Sequence, residues 1–208
     1  MLSEDIKIYL PKFLSSESTQ ELFQCLKDFP NNIDERIYTS YLKEEDYIFQ
    51  GDGINNMLVI NLPNPAIRPT PSMVLSNTCD ISQDNARLFN TNILYSPIFN
   101  LRKYKEKIST DSTKSPQAIE DHIAAIKRQE VTQIFYLPEL KDQIEDSIVF
   151  FDRVCNCSNS IIKKEKISSE KIFTLSDYGS YLFLLKLSIN FTRIFDKVER
   201  KHGGSQDI

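Results

Sequence analysis

The chain has 208 residues, of which 40% are hydrophobic, so it can bury the core of one domain with appendages, and a single domain is predicted over two very small ones. Its formal net charge of -4 excludes the global basic surface of a non-specific nucleic-acid binder, so any RNA contact has to be a local cleft. The longest apolar run, residues 181–187, contains Lys186 and is far shorter than the roughly 20 residues that span a bilayer. With early charges that break up any leader and four cysteines that fit reduced thiols, we expect a cytoplasmic protein with no membrane partner.

The N-terminal extension, residues 1–46, is predicted to hold a helix and then a strand. Ser18 and Glu21 match a capping box, and a helix is expected from there to residue 29, with Cys25 on its buried stripe. After the break at residues 30–32, alternating residues 37–42 predict a strand.

Residues 47–99 are the strand-rich part of the chain. Short apolar runs separated by Gly, Pro, Asn and Asp predict strands at residues 57–62, 72–75 and 92–96. The segment between the first two, residues 63–71, holds four prolines and is predicted to be an irregular, stiff surface loop.

The remainder of the chain alternates helical and strand patterns. Residues 102–114 are read as a loop or frayed helix, and Ser115 before Pro116 marks the start of a helix to about residue 130. Strands are predicted at 131–137 and at 147–154, the latter buried on both faces. A long C-terminal helix, residues 176–201, packs across the sheet or binds a second copy or a partner, and residues 202–208 form a disordered tail.

The densest polar cluster is Ser76-Asn77-Thr78-Cys79-Asp80, at the end of a predicted strand. It allows three interpretations: a turn, a binding or catalytic loop, or a thiol nucleophile at Cys79 served by His122. A zinc site built from Cys79, His122 and the Cys155-x-Cys157 pair is weakly indicated, and no metal or cofactor is predicted. The lysines at 163, 164, 166 and 171 form either a solvated surface or an RNA contact.

Several segments, in order along the chain, resemble the MazF/PemK toxin family. They are Gly51-Asp52, Arg68-Pro69, the strands at 72–77 and 93–98, and the Asp-Ser-(apolar)-Asp-Arg segment at 146–154. The resemblance covers about half of the chain. It implies an SH3-like barrel, a homodimer and a metal-independent, sequence-specific endoribonuclease that is inhibited by an antitoxin.

The resemblance also assigns residues. It implies a catalytic role for Arg68 and an RNA-binding role for Arg153, which could also pair with Asp152 or Asp80, and Ser96 lies near its threonine position. The polar strand end adds Ser76 and Asp80 as catalytic and Thr78 as RNA-binding, so the predicted catalytic residues are Arg68, Ser76 and Asp80 and the predicted RNA-binding residues are Thr78, Ser96 and Arg153. The family's threonine position falls on Phe99, and nearly fifty residues, including the helical insertion 102–130, separate strands that a short connection joins in the family.

The sequence therefore predicts an α+β fold: a small SH3-like barrel of the MazF/PemK type, residues 47–175, with an N-terminal helix, an inserted helix and a long C-terminal helix. The sequence is compatible with two functions. The first is RNA binding or endoribonuclease activity in a prokaryotic toxin-antitoxin or defence system. The second is a non-catalytic protein-interaction module on the same barrel.

Overall fold

Eight antiparallel strands form one open sheet in the computed structural model, which describes residues 16–85, 87–111 and 113–192. With the helices around it, the sheet makes an α+β fold. The strands are β1 (Tyr38–Thr39), β2 (Gly53–Asn61), β3 (Asn64–Val74), β4 (Asn92–Asn100), β5 (Ile134–Leu137), β6 (Ser147–Phe150), β7 (Cys155–Ser158) and β8 (Lys171–Leu175). The helices are α1 (Ser16–Asp28), α2 (Thr78–Ile81), α3 (Leu101–Asp111), α4 (Pro116–Lys127), α5 (Ile167–Glu170) and α6 (Asp177–Thr192).

Strand β4 pairs with three other strands, more than any other strand of the sheet. The strand order is β1-β8-β2-β3-β4-β6-β5, and β7 runs along the same edge of β4 as β6 does. The prediction of one continuous strand over 147–154 is wrong, because β6 ends at Phe150 and the chain bulges before Cys155. Ser96 Oγ of β4 donates to the Phe150 carbonyl oxygen at 2.7 Å, so a β4 side chain anchors the end of β6 beside this bulge.

The prediction of an irregular loop at 63–71 is wrong, because these residues belong to the β2–β3 hairpin. Strand β3 pairs with β2 from Asn64 to Met73, whereas β4 borders it only from Ser72 to Val74. The proline-rich part of β3 therefore forms the outer strand of a two-stranded ribbon. Prolines are tolerated on an edge strand because the missing N–H groups have no ladder partner to satisfy.

The helix predictions are confirmed in part. The capping box is wrong, since α1 begins at Ser16 and Ser18 lies inside it. The predicted start of α4 is confirmed: Ser115 Oγ accepts from the Ala118 amide at 3.2 Å. Residues 102–114, read as a loop or frayed helix, form the regular helix α3 as far as Asp111. The predicted end of the C-terminal helix and the tail at 202–208 lie outside the described residues.

Two strand predictions were too long. The N-terminal strand is only the two residues of β1, preceded by a 3-10 turn over Glu35–Ile37, and the strand predicted at 131–137 begins at Ile134. Although the sheet is open, its two ends approach each other, because Tyr38 Oη of β1 donates to the Pro138 carbonyl oxygen at 2.8 Å.

The main core lies between the sheet and helices α1 and α6, and Phe135, Phe151 and Phe183 meet there with ring centroids 5.5 to 6.3 Å apart. A charged residue also enters this interface. Lys186 of α6 is 8% exposed, and its ammonium donates to Gln129 Oε1 at 2.9 Å and to the Ile134 carbonyl. Burial lowers the pKa of Lys186 to about 7.

Candidate functional site

The polar cluster at 76–80 forms a helical turn whose side chains bind backbone groups. Asn77 caps α2 by accepting from the Cys79 amide at 2.9 Å, and Thr78 Oγ1 accepts from the Gln50 amide at 3.0 Å. Ser76 Oγ accepts from the Leu94 amide at 2.7 Å. These bonds hold the end of β3 against β4 and against the loop before β2, so the turn interpretation accounts for Ser76, Asn77 and Thr78.

A small cleft of about 40 Å³ opens beside this turn. Its walls come from four stretches of the chain, at 46–48, 78–84, 93 and 159–167. Gln83 joins the second to the last through bonds to the Asn159 and Ile162 carbonyls at 2.6 and 2.7 Å. The cleft has isoleucines within and polar groups around them: Ile48, Ile81, Ile93, Ile162 and Ile167, with Asp46, Tyr47, Thr78, Ser82, Gln83, Asp84, Asn159 and Lys164.

Asp80 lies at the exposed side of the turn and binds an arginine that the sequence did not single out. Its Oδ1 lies 2.7 Å from the Arg87 guanidinium, and the two side chains are 57% and 34% exposed. The arginine beside Asp80 is therefore Arg87, in a loop without regular structure. Cys79 is also exposed, but His122, its predicted base, instead contacts the Tyr104 hydroxyl at 3.0 Å.

Arg68 does not join the polar cluster. It is exposed on β3 opposite Val59, in the ribbon that extends beyond the rest of the sheet. Val74, the last residue of β3, lies six positions further along the chain, which is about 20 Å along an extended strand. The three residues predicted to be catalytic therefore do not form one site.

Ser96, predicted to bind RNA, is fully buried, and its hydroxyl donates to the Phe150 carbonyl as described above. Its hydroxyl is hydrogen-bonded within the sheet and cannot reach a ligand at the surface. A buried hydroxyl needs such a partner, since an unpaired one costs roughly 1–3 kcal/mol.

Lys171, predicted to lie at the surface, is instead buried together with Asp52, and both side chains are 0% exposed. Its ammonium donates to the carbonyls of Leu42, Glu45 and Tyr47 at 2.9 to 3.1 Å and lies 3.6 Å from Asp52 Oδ2. Burial raises the pKa of Asp52 to about 6, against the opposing effects of the Phe49 amide and Lys171. This pair fixes the loop that walls the cleft.

Arg153 is exposed and rests on aromatic rings. Its guanidinium carbon lies 4.2 Å from the centroid of the Phe150 ring and 4.9 Å from that of Phe99, within cation–π range. The two rings meet edge to face at 5.5 Å, and Tyr104 meets Phe150 at 5.6 Å. We call Phe99, Tyr104, Phe150 and Arg153 the Arg153 patch.

The sequence left open whether Arg153 reaches the cleft or pairs with Asp152 or Asp80. In the structure Asp80 binds Arg87, and the guanidinium of Arg153 lies on the two rings. Phe99, which stands at the family's threonine position, is one of those rings. Burial raises the pKa of Tyr104, and the nearby Arg153 charge opposes that shift. Arg153 and the ring residues come from β4, α3, the end of β6 and the chain after it, so only the pairing of these elements brings them together.

Basic residues continue from this patch into α3, which follows β4 directly. Lys105 binds Glu120 of α4 at 2.7 Å, and Arg102 lies 3.9 Å from Glu145. Lys103 is exposed at the first turn, where its amide donates to Asn100 Oδ1 at 3.0 Å. Residues 99–107 thus carry four basic residues, and two of them, Arg102 and Lys105, lie beside carboxylates.

No protein-family model matches the chain, and no curated protein matches it either. Within residues 16–85, 87–111 and 113–192, no group of three or more His, Cys, Asp or Glu side chains is placed to hold a metal ion, so the residues of the zinc interpretation do not assemble. In the same part of the chain, no helix is both long and apolar enough to cross a membrane.

Proposed function

We propose that this protein binds RNA through the Arg153 patch, as a MazF/PemK-like component of a prokaryotic toxin-antitoxin or defence system. The observation that carries the proposal is the exposed guanidinium of Arg153 on two aromatic rings. Aromatic rings with cations beside them are the usual means by which proteins hold single-stranded nucleic acid. The net charge of -4 fits a local contact of this kind and not a general basic surface.

An SH3-like barrel and a homodimer belong to the same proposal. The bond from Tyr38 Oη to the Pro138 carbonyl supports the barrel, because it joins β1, one end of the sheet, to the residue after β5, the other end. An antitoxin or other protein partner follows from the resemblance alone.

Binding is better supported than cleavage. Cleavage of this type needs a group that takes the 2'-hydroxyl proton and a cation that stabilises the phosphorane. Arg68 lies far from Asp80 along β3, while Arg87 lies beside Asp80 and partly neutralises it. If cleavage occurs, Asp80 and Arg87 are the pair that could supply base and cation.

The test is binding of fluorescein-labelled single-stranded RNA, followed by anisotropy, with a gel to detect cleavage. Arg153→Ala is expected to weaken binding by more than about tenfold, because it removes a cation and its stacking surface. Arg128→Ala is the matched control, since Arg128 is exposed and paired with Glu130 at 2.7 Å. Wild-type protein that leaves the RNA both unbound and uncut would refute the proposal, and cuts lost in Asp80→Ala would restore the enzyme hypothesis.

The β2–β3 ribbon favours the second candidate function, a protein-interaction module. It exposes four aliphatic side chains, at 40%, 49%, 76% and 58%: Leu58, Ile60, Leu62 and Ile67. Clustered exposed aliphatic groups of this kind mark interaction surfaces. Sedimentation equilibrium of wild type against a Leu58→Asn, Ile60→Asn double variant tests it, with self-association lost in the variant as the expected result and a monomeric wild type as the contradicting one.

A further inference from the structure

Arg153 differs from most other arginines of the described residues in how it is held. Four of the six, at positions 36, 87, 102 and 128, lie within 4 Å of a carboxylate. Arg153 has no carboxylate partner within that distance among the described residues, although Asp152 precedes it in the chain, and its contacts are the Phe99 and Phe150 rings. Its charge is therefore not cancelled locally.

The rings orient the guanidinium without covering it. Both ring centroids lie within 5 Å of the guanidinium carbon, yet the side chain as a whole is exposed. The guanidinium is planar, and the residue stays exposed although two rings lie beside it. Because this orientation exists before any ligand arrives, less side-chain entropy is lost on binding.

We propose that this guanidinium is a stacking site for one unpaired RNA base, in the order base, guanidinium, phenylalanine rings. The proposal rests on the proposed function and names its ligand class as single-stranded RNA. A guanidinium plane takes a splayed base as an aromatic ring does, while bases within a duplex are stacked on each other and cannot present a face.

The exposed cations of α3 fit the phosphates on either side of such a base. Lys103 is exposed, and Arg102 reaches its carboxylate only at 3.9 Å, which leaves it able to contact a phosphate. Phosphate contacts add affinity but do not distinguish a paired base from an unpaired one. The selectivity for single strands thus comes from Arg153.

The first experiment separates stacking from charge. Arg153→Lys keeps the positive charge and removes the planar surface, so it is expected to lower affinity for a single-stranded RNA oligonucleotide about tenfold. The same substitution is expected to leave binding of an abasic oligonucleotide of equal length unchanged. Equal affinity of wild type and Arg153→Lys for the RNA, or wild-type binding of duplex RNA as tight as of single strands, would overturn the proposal.

The second experiment places a reporter in the stack. The chain has no tryptophan, so Phe99→Trp introduces a single indole under the guanidinium. Its fluorescence is expected to change on titration with single-stranded RNA, whereas Tyr41→Trp, at a side chain 89% exposed in a different region, is expected to show no change. Circular dichroism checks that Phe99→Trp folds, and Phe150→Trp replaces it if it does not.

The outcomes distinguish the two proposals. RNA that fails to bind the wild type refutes the proposed function together with the stacking site. RNA that binds the wild type and Arg153→Lys equally, but binds Arg153→Ala more weakly, leaves the proposed function standing and refutes the stacking site alone.

Discussion

Replacing Lys186 by methionine is expected to stabilise the protein at neutral pH. The ammonium is held by Gln129 Oε1 and the Ile134 carbonyl without a buried carboxylate, so charging it inside the fold is unfavourable. Methionine keeps the length of the side chain and removes the charge.

The size of the effect on the free energy of unfolding follows from the pKa of Lys186 in the unfolded and the folded chain. With a pKa of 10.5 in the unfolded chain and about 7 in the folded one, the unfolded state binds more protons between these values. Stability from this group therefore rises with pH over that window, by about 2 kcal/mol between pH 7 and pH 9. Loss of the donor to the Ile134 carbonyl offsets part of the gain in the variant, by roughly 1–3 kcal/mol.

Urea denaturation at pH 7 and pH 9 tests this. The difference in unfolding free energy between wild type and Lys186→Met isolates the lysine from thiols and tyrosines that also titrate, and it should move in favour of wild type as the pH rises. Lys141→Met, at an exposed lysine, controls for a general loss of charge. A difference that is the same at both pH values would refute the reasoning, because it would mean that Lys186 stays charged in the fold.

Three further substitutions test the packing around the site. Lys171→Met leaves Asp52 and three loop carbonyls without their cation and should lower the free energy of unfolding by about 3–5 kcal/mol. Chemical denaturation should show a larger loss of stability at pH 8 than at pH 5, where Asp52 can protonate, and a loss that does not depend on pH would contradict this. Gly179→Ala would place a methyl group 2.1 Å from the Ile37 carbonyl oxygen and should lower thermal stability by about 1–3 kcal/mol or more; an unchanged melting temperature would show that α6 can shift freely. Asn77→Ala removes the cap of α2 and should lower the free energy of unfolding by about 0.5–2 kcal/mol in thermal denaturation, with faster hydrogen exchange of the amides in the turn. Equal exchange rates in wild type and variant would show that the cap is not needed.

The parts of the fold that sequence reasoning predicted are those fixed by neighbours in the chain. The cap at Ser115 and the helical spacing of Ile119, Ile123 and Ile126 specify α4 locally, and all three isoleucines are buried. Proline-rich β3 was mistaken for a loop because its ladder comes from β2, and a proline on an edge strand looks the same in sequence as a proline in a loop.

The residues of the candidate site depended on contacts between distant segments. Lys171 carries no local sign of burial, and it is held by backbone carbonyls about 125 residues away along the chain. Lys186 lies in an apolar run, but the groups that hold it, Gln129 and the Ile134 carbonyl, are 57 and 52 residues away. Arg87 and Asp80 are seven residues apart but meet only because α2 turns the chain.

Composition and periodicity were enough to predict an α+β fold with short strands and a capped helix, because propensity, capping and turn chemistry act over a few residues. Which side chains share a surface was settled by strand pairing, since β4 alone brings β3, β6 and β7 together. That pairing buried Ser96, separated Arg68 from Asp80, and set Arg153 on Phe99 and Phe150 as an exposed cation.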